Sequence, residues 1–263
     1  MVSKDSIIVI KIGGSTLGKQ DTTLEDIVLL QSKDYKPVVI HGGGKLINLW
    51  MERQGIFPRF IRGLRVTSKD AIDIVIAVLA GVINKRMVAD ITDAGGKAVG
   101  LSGIDGQIFE STVADPSLGY VGKITRVNSQ LINDILQAGY IPLIAPLGVE
   151  STTEEHESKI LNINADTAAG EIASALNAKQ LIFLTDVTGV LDGNNQLIET
   201  MSLSQGNHLL QSGIVKQGMI PKLEAGLKAA ASGSIVSIID GNKSKALLNS
   251  VDGKKNGTVI KTR

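Results

Sequence analysis

The sequence predicts an α/β protein with a mainly parallel central sheet sandwiched by helices. Three observations carry this. Apolar runs of strand length alternate along the chain with segments of helical periodicity. The strand segments are continuous aliphatic runs, as expected of strands buried on both faces. Glycine punctuates the strand ends: 29 of 263 residues are glycine and only 3% are aromatic, which suits aliphatic layers joined by tight turns.

Taken in order, SIIVIKI (6–12) reads as the first strand and runs into glycines. TTLEDIVLLQSK (22–33) sets Leu24, Ile27, Val28 and Leu30 at helical spacing. Residues 37–41 form a second strand, followed by Gly42, Gly43 and Gly44. The segment 68–95 reads as one long helix stopped by Gly95 and Gly96. KAVGLSG, QIFESTV and KITRVN are strand-like pieces whose pairing stays open. SQLINDILQAG is a helix with a serine cap and a glycine end, and YIPLIAP a strand. The polar stretch 148–159 suits a surface loop or hairpin. Helix 165–177, strand 180–185, helices 203–212 and 221–232, strand 234–239, helix 243–249 and a strand at 257–261 complete the pattern.

Composition excludes several classes of function. A net charge of +1 with no basic block implies no polyanion-binding surface. With no cysteine there is no disulfide, thiol catalysis or zinc–thiolate site, which fits the cytoplasm. The longest apolar run carries Asp73 and is too short to span a bilayer. No partner membrane or nucleic acid is expected.

The chemistry points to the glycine loops. PVVIHGGGK (37–45) gives up all side-chain packing at a strand end, which costs backbone entropy. Backbone N–H groups aimed at an anion would justify it, and so would a tight turn with no ligand. No Gly-Lys precedes Ser or Thr, and no G-x-G-x-x-G is present, so the common phosphate loops are excluded. What remains is an ordered set: KIGGS (11–15), HGGG (41–44), GLRVT (63–67), NINAD (162–166), LTDVTGVLDG (184–193) and GMIPKLEA (218–225).

Together these pieces resemble the amino acid kinase family over nearly the whole chain. They are nearest to members that phosphorylate the γ-carboxylate of N-acetyl-L-glutamate in arginine biosynthesis. The resemblance implies transfer of the ATP γ-phosphoryl, with Mg²⁺ held mainly by phosphates and water. It implies that Lys11 and Lys222 flank the transferred group, with Gly14 and Gly44 amides on it. Asp166 sits where a helix cap would; by resemblance it is the carboxylate that organises the two lysines. Arg65 would clamp the substrate α-carboxylate, with Asn162, Gly43 and Gly44 lining the same pocket. The nucleotide wall falls on Asp186, Val187, Thr188, Gly189, Val190 and Leu191, with Ile214, Val215 and Lys216 opposite. His41 is read as structural, because a carboxylate nucleophile needs no proton removed at neutral pH.

Two alternatives stay open on the residues: a carrier-protein-linked aminoadipate or glutamate kinase, and a non-catalytic anion-binding member. A single domain over 1–263 is expected, with 1–177 the substrate-binding and dimerisation lobe and 178–263 the nucleotide-binding lobe. Eight apolar residues between Ile72 and Ile83 spread too far round a helix for one stripe, so a homodimer through the first lobe is expected. Arginine-inhibited, hexameric members carry a helix ahead of the first strand. Only ten residues precede Lys11, so the expectation is no feedback inhibition by arginine.

Overall fold

The computed structural model describes residues 6–13, 22–150, 160–215 and 218–262. The chain begins with β1 (Ile7–Ile12), α1 (Thr23–Ser32), β2 (Lys36–His41) and α2 (Gly44–Arg53). A short hairpin, β3 (Phe60–Ile61) and β4 (Leu64–Arg65), leads into a long helical rod. The rod is α3 (Lys69–Ile76), a π-helical segment (Ala77–Ile83) and α4 (Asn84–Asp93). Then come β5 (Ala98–Ser102), β6 (Phe109–Val113), β7 (Val121–Val127), α5 (Gln130–Gln137), β8 (Ile141–Ala145), β9 (Leu147–Glu150), β10 (Ile160–Ile163) and α6 (Ala165–Leu176). The second half holds β11 (Gln180–Thr185), β12 (Thr200–Ser202), α7 (Leu203–Gln211), α8 (Ile220–Ala231), β13 (Ile235–Asp240), α9 (Ala246–Val251) and β14 (Gly257–Lys261).

The expected mainly parallel sheet is present, with strand order β12-β14-β13-β11-β1-β2-β8-β5. Its departure is at one end, where β14 runs antiparallel to β13. All six residues of β1 are buried, and their alternation sorts them into two cores. Ile7 and Val9 face α5, α6, α7 and α8, while Ile8, Ile10 and Ile12 face α1, α4 and α9. The chain passes from β1 to β2 on one side and later places β11 on the other. That makes the carboxyl end of β1 a topological switch point, where open α/β sheets bind ligands.

The strand-like pieces left open in the sequence divide between two structures. KAVGLSG supplies the edge strand β5, while QIFESTV and KITRVN supply β6 and β7 of a small closed barrel, β10-β7-β6-β9. The arms of the polar stretch, β9 and β10, pair antiparallel as a hairpin does, while residues 151–159 lie outside the described ones.

Three expectations need correction. The helix over 68–95 is not uniformly α: its middle seven residues are π-helical. Ser129 makes no side-chain cap; Asn128 Oδ1 accepts from the Gln130 amide at 3.3 Å instead. The helix expected at 243–249 begins only at Ala246, because Lys245 is left-handed (φ 57°) and no right-handed helix continues through it.

Candidate active site

Lys11 shares the parity of Ile7 and Val9, so its side chain emerges on the α6/α8 face at the end of β1. There it meets the first turn of α6. Lys11 Nζ lies 2.9 Å from Asp166 Oδ1, and Lys222 Nζ, from the first turn of α8, donates to Asp166 Oδ2 at 3.0 Å. Lys222 also donates to the Gly218 carbonyl at 3.0 Å, which fixes the second ammonium from behind.

The structure separates the two readings of Asp166. The cap of α6 is Asn164, whose Oδ1 accepts from the amides of Asp166 and Thr167 at 2.9 and 3.0 Å. The Asp166 carboxylate is thereby left to the lysines. Burial alone would raise its pKa, but the two ammonium groups outweigh burial and hold it below the ordinary carboxylate range.

A cleft of about 180 Å³ opens beside this triad, lined by Lys11, Gly43, Gly44, Arg65, Asn162 and Asp166 among others. Arg65 is buried, and burial lowers its pKa. Its guanidinium reaches Gly44 O at 3.2 Å and Met51 Sδ at 3.4 Å, and sits 4.8 Å from the Phe60 ring centre. No carboxylate stands within ion-pair distance of it among the described residues. Lys11, Lys222 and Arg65 against Asp166 make three positive charges and one negative. A buried excess of positive charge is costly unless an anion joins it.

The glycines do different things. Gly42 N–H is spent on Ile12 O at 2.9 Å. A Cβ on Gly43 would lie 2.5 Å from Ile83 Cδ1 and 2.8 Å from Leu79 Cδ2, so this glycine admits the π-helical segment. Both contacts are with the ends of side chains, and Gly43 lines the cleft as well. Gly44 is exposed, and a Cβ there would meet only Arg65 Nη2, at 3.8 Å. It opens α2, whose first amides have no intrahelical acceptor.

A second cavity, about 400 Å³, is lined by Asp186, Val187, Thr188, Gly189, Val190, Leu191, Ile214 and Val215, all expected to face nucleotide. Lys222 lines it too, so the lysine–aspartate pair is the wall between the two spaces. Thr258 pins the glycine turn: its Oγ1 accepts from Val190 N at 2.8 Å, and a Cβ on Gly189 would strike it. Gly14 and Lys216 lie outside the described residues.

His41 stands apart from the cleft. It is buried, its Nδ1 is 3.1 Å from Gly42 O, and its Nε2 is 3.1 Å from Asn84 Nδ2. Burial is the largest influence and lowers its pKa to about 4, so it is neutral at pH 7. Three contributors were not singled out from the sequence. Asn164 had a legible signal, an Asn just ahead of an apolar helix. Thr67 closes the GLRVT motif without its partner being legible there, and Phe60 had no signal, because their partners are set by the fold.

The sequence profile of the amino acid kinase family matches residues 6–240, which takes in both lysines, Asp166, Arg65 and the whole first cavity. This chain belongs to the amino acid kinase family. Its relatives within that family are specific. Acetylglutamate kinase of Dehalococcoides mccartyi is 41% identical over 259 residues, covering 98% of this chain and 95% of that one. Acetylglutamate kinase of Gloeobacter violaceus is 44% identical over 253 residues, covering 92% and 82%. A Streptococcus mutans protein of known crystal structure is 32% identical, with a TM-score of 0.84 over 99% of this chain and all of that one.

Proposed function

We propose that this amino acid kinase phosphorylates the γ-carboxylate of N-acetyl-L-glutamate with ATP, giving N-acetyl-L-glutamyl 5-phosphate in arginine biosynthesis. The observation that carries the reading is the Lys11–Asp166–Lys222 triad standing between a small cationic cleft and a larger cavity. Relatives of the same name, similar over almost the full length, favour this acid over the alternatives.

The geometry suits an in-line displacement. The acid lies in the cleft with its α-carboxylate on Arg65 and its amino substituent near Asn162. ATP lies along Asp186–Leu191 and Ile214–Val215, its triphosphate toward Lys222. A γ-carboxylate oxygen attacks the γ-phosphorus, the bond from that phosphorus to the β–γ bridging oxygen breaks, and ADP leaves. No proton moves, which is why neutral His41 has no part. Charge on the transferred group lies between two ammonium groups that Asp166 keeps in place, and positioned charge is most of what phosphoryl transfer needs. The Gly44 amide, at the start of α2 and in the cleft lining, would add a hydrogen bond.

Magnesium rides with the triphosphate. Among the described residues no cluster of three or more His, Cys, Asp or Glu could hold a metal. Both oxygens of Asp166 face lysines. When bound, the ion would be held mainly by phosphate and water, where it would neutralise phosphate charge.

The site residues divide into a substrate lobe, 1–177, and a nucleotide lobe, 178–263. We also assign a cytoplasmic homodimer. No helix among the described residues is long and apolar enough to cross a membrane. In the rod, Ala77 and Gly81 are exposed four residues apart, a flat strip onto which a second copy can pack.

The deciding experiment is ADP release with Mg·ATP and N-acetyl-L-glutamate, against glutamate, aspartate and aminoadipate. Turnover is expected with N-acetyl-L-glutamate and at most a few per cent of that rate with the others. Turnover of another acid with none of this one would refute the assignment.

A further inference from the structure

Asn162 carries a donor and an acceptor on one amide, and which of them faces the cleft decides what the cleft can read. A chain of hydrogen bonds bears on that choice. Asn162 Nδ2 donates to Thr67 Oγ1 at 3.1 Å, and Thr67 Oγ1 donates to the Arg65 carbonyl at 3.1 Å. Thr67 has one hydroxyl proton. Once that proton is committed to Arg65 O, the oxygen can only accept, so Asn162 must turn its NH₂ toward Thr67. No donor among the described residues reaches Asn162 Oδ1, which is left for the cleft that Asn162 lines.

The backbone holds both residues against one segment. Thr67 N donates to Leu118 O at 2.9 Å, Tyr120 N to Thr67 O at 2.8 Å, and Asn162 N to Tyr120 O at 2.8 Å. Gly119 allows this approach: a Cβ there would lie 2.3 Å from Thr67 O. Thr67 itself is fully buried and is not among the residues lining the cleft.

We infer that Thr67 is a specificity-determining positioning residue: its hydroxyl locks the Asn162 amide with Oδ1 toward the acid, so that the site reads an N–H donor on the α-substituent. This rests on the reading of the acceptor as an N-acylated amino acid. The lock passes from the residue that clamps the α-carboxylate to the residue that reads the neighbouring nitrogen. It selects an amide N–H and rejects a group that offers only oxygen lone pairs at that position.

The test compares N-acetyl-L-glutamate with its ester analogue, (S)-2-acetoxyglutarate, in which oxygen replaces the N–H. An unpaired acceptor facing a lone pair is a strong rejection. The wild-type protein is expected to prefer the amide by about 100-fold or more in kcat/KM. Thr67→Val keeps the shape and removes the hydroxyl, so Asn162 can flip and offer NH₂ to the ester oxygen. Its preference is expected to fall below about tenfold, mainly through a higher KM for the amide, with kcat within about threefold. Thr67→Ser should keep the wild-type preference. If the valine variant does not fold, Thr67→Ala, which also lacks the hydroxyl, replaces it.

An undiminished preference in the hydroxyl-free variant overturns the inference, as does a wild type that accepts both compounds alike. A serine variant that loses as much as valine would assign the effect to the threonine methyl group and overturn it too. Turnover of neither compound by the wild type removes the reading beneath it, which is a distinct result.

Discussion

Two kinds of positive charge act at the residue scale. In the proposed reaction Lys11 and Lys222 face the group in flight, and their contribution grows as charge moves. Replacing either with Ala is expected to lower kcat by about two or more orders of magnitude. In the proposed reaction Arg65 holds a carboxylate that does not change, so Arg65→Ala is expected to raise the KM for the acid strongly and leave kcat nearly intact. Steady-state kinetics on the three variants separates the roles; an Arg65 variant with unchanged KM and reduced kcat would reverse its assignment. His41 gives the pH dependence of stability. Its pKa is lowered to about 4 in the folded chain, against an ordinary value of 6.5. Between those values the unfolded chain binds a proton that the folded chain does not. Stability therefore falls as pH drops from 6.5 to about 4, by about 1.4 kcal/mol per unit, and this group adds no slope above 6.5. Thermal melts across that range should show the decline, and His41→Gln should flatten it. Asp166 acts lower down: its contribution is present above the ordinary carboxylate pKa and is lost as pH falls through its depressed value.

At the scale of elements, the triad depends on how closely α6 and α8 approach. Gly170, one turn along α6 from Asp166, sets that approach. A Cβ there would lie 2.8 Å from Ala225 O and 3.0 Å from Ala225 Cα, both backbone atoms that cannot rotate away. Gly170→Ala is expected to push α8 outward and cost about 1–3 kcal/mol. The displacement would lengthen the 3.0 Å contact from Lys222 to Asp166. A fall in kcat of tenfold or more, with little change in KM for the acid, would register it. Full activity with a normal melting temperature would show that the two helices have slack. On the other side the π-helical segment meets Gly43 only through the side-chain ends of Leu79 and Ile83, which can shift.

The whole molecule joins its two halves through one sheet, with β11, β13, β14 and β12 continuing the plane of β1 and β2. That continuity places a lysine from residue 11 and one from residue 222 on the same carboxylate. It also alters the argument for a dimer. Five of the eight apolar side chains in the first part of the rod, Ile72, Ile74, Val75, Val78 and Leu79, are buried within the single chain, so their spread round the helix needs no partner. The proposal rests instead on the exposed strip at Ala77 and Gly81 and on two-fold closure as the commonest assembly. Light scattering is expected to give about twice the chain mass, and Gly81→Arg, which puts a long charged side chain on the strip, to give monomer. A wild-type monomer would dismiss the homodimer.

By itself the sequence determined the layers and the three residues of the lysine–aspartate triad. Short aliphatic runs bounded by glycine read as strands covered on both sides, helical spacing supplies the covers, and three of the six motifs hold the two lysines and the aspartate that meet. Local signals could have gone one step further, since Asn164 is a readable cap and its capping frees Asp166. Only the tertiary structure decided the rest. It chose the helical pitch of the rod, closed four short strands into a barrel, and packed that rod against Gly43 beside the cleft. It also tied Thr67 to Asn162 across 95 positions. Each of these depends on contacts between residues far apart in the chain. Periodicity and turn chemistry record what a segment buries, but not which distant segment it is buried against.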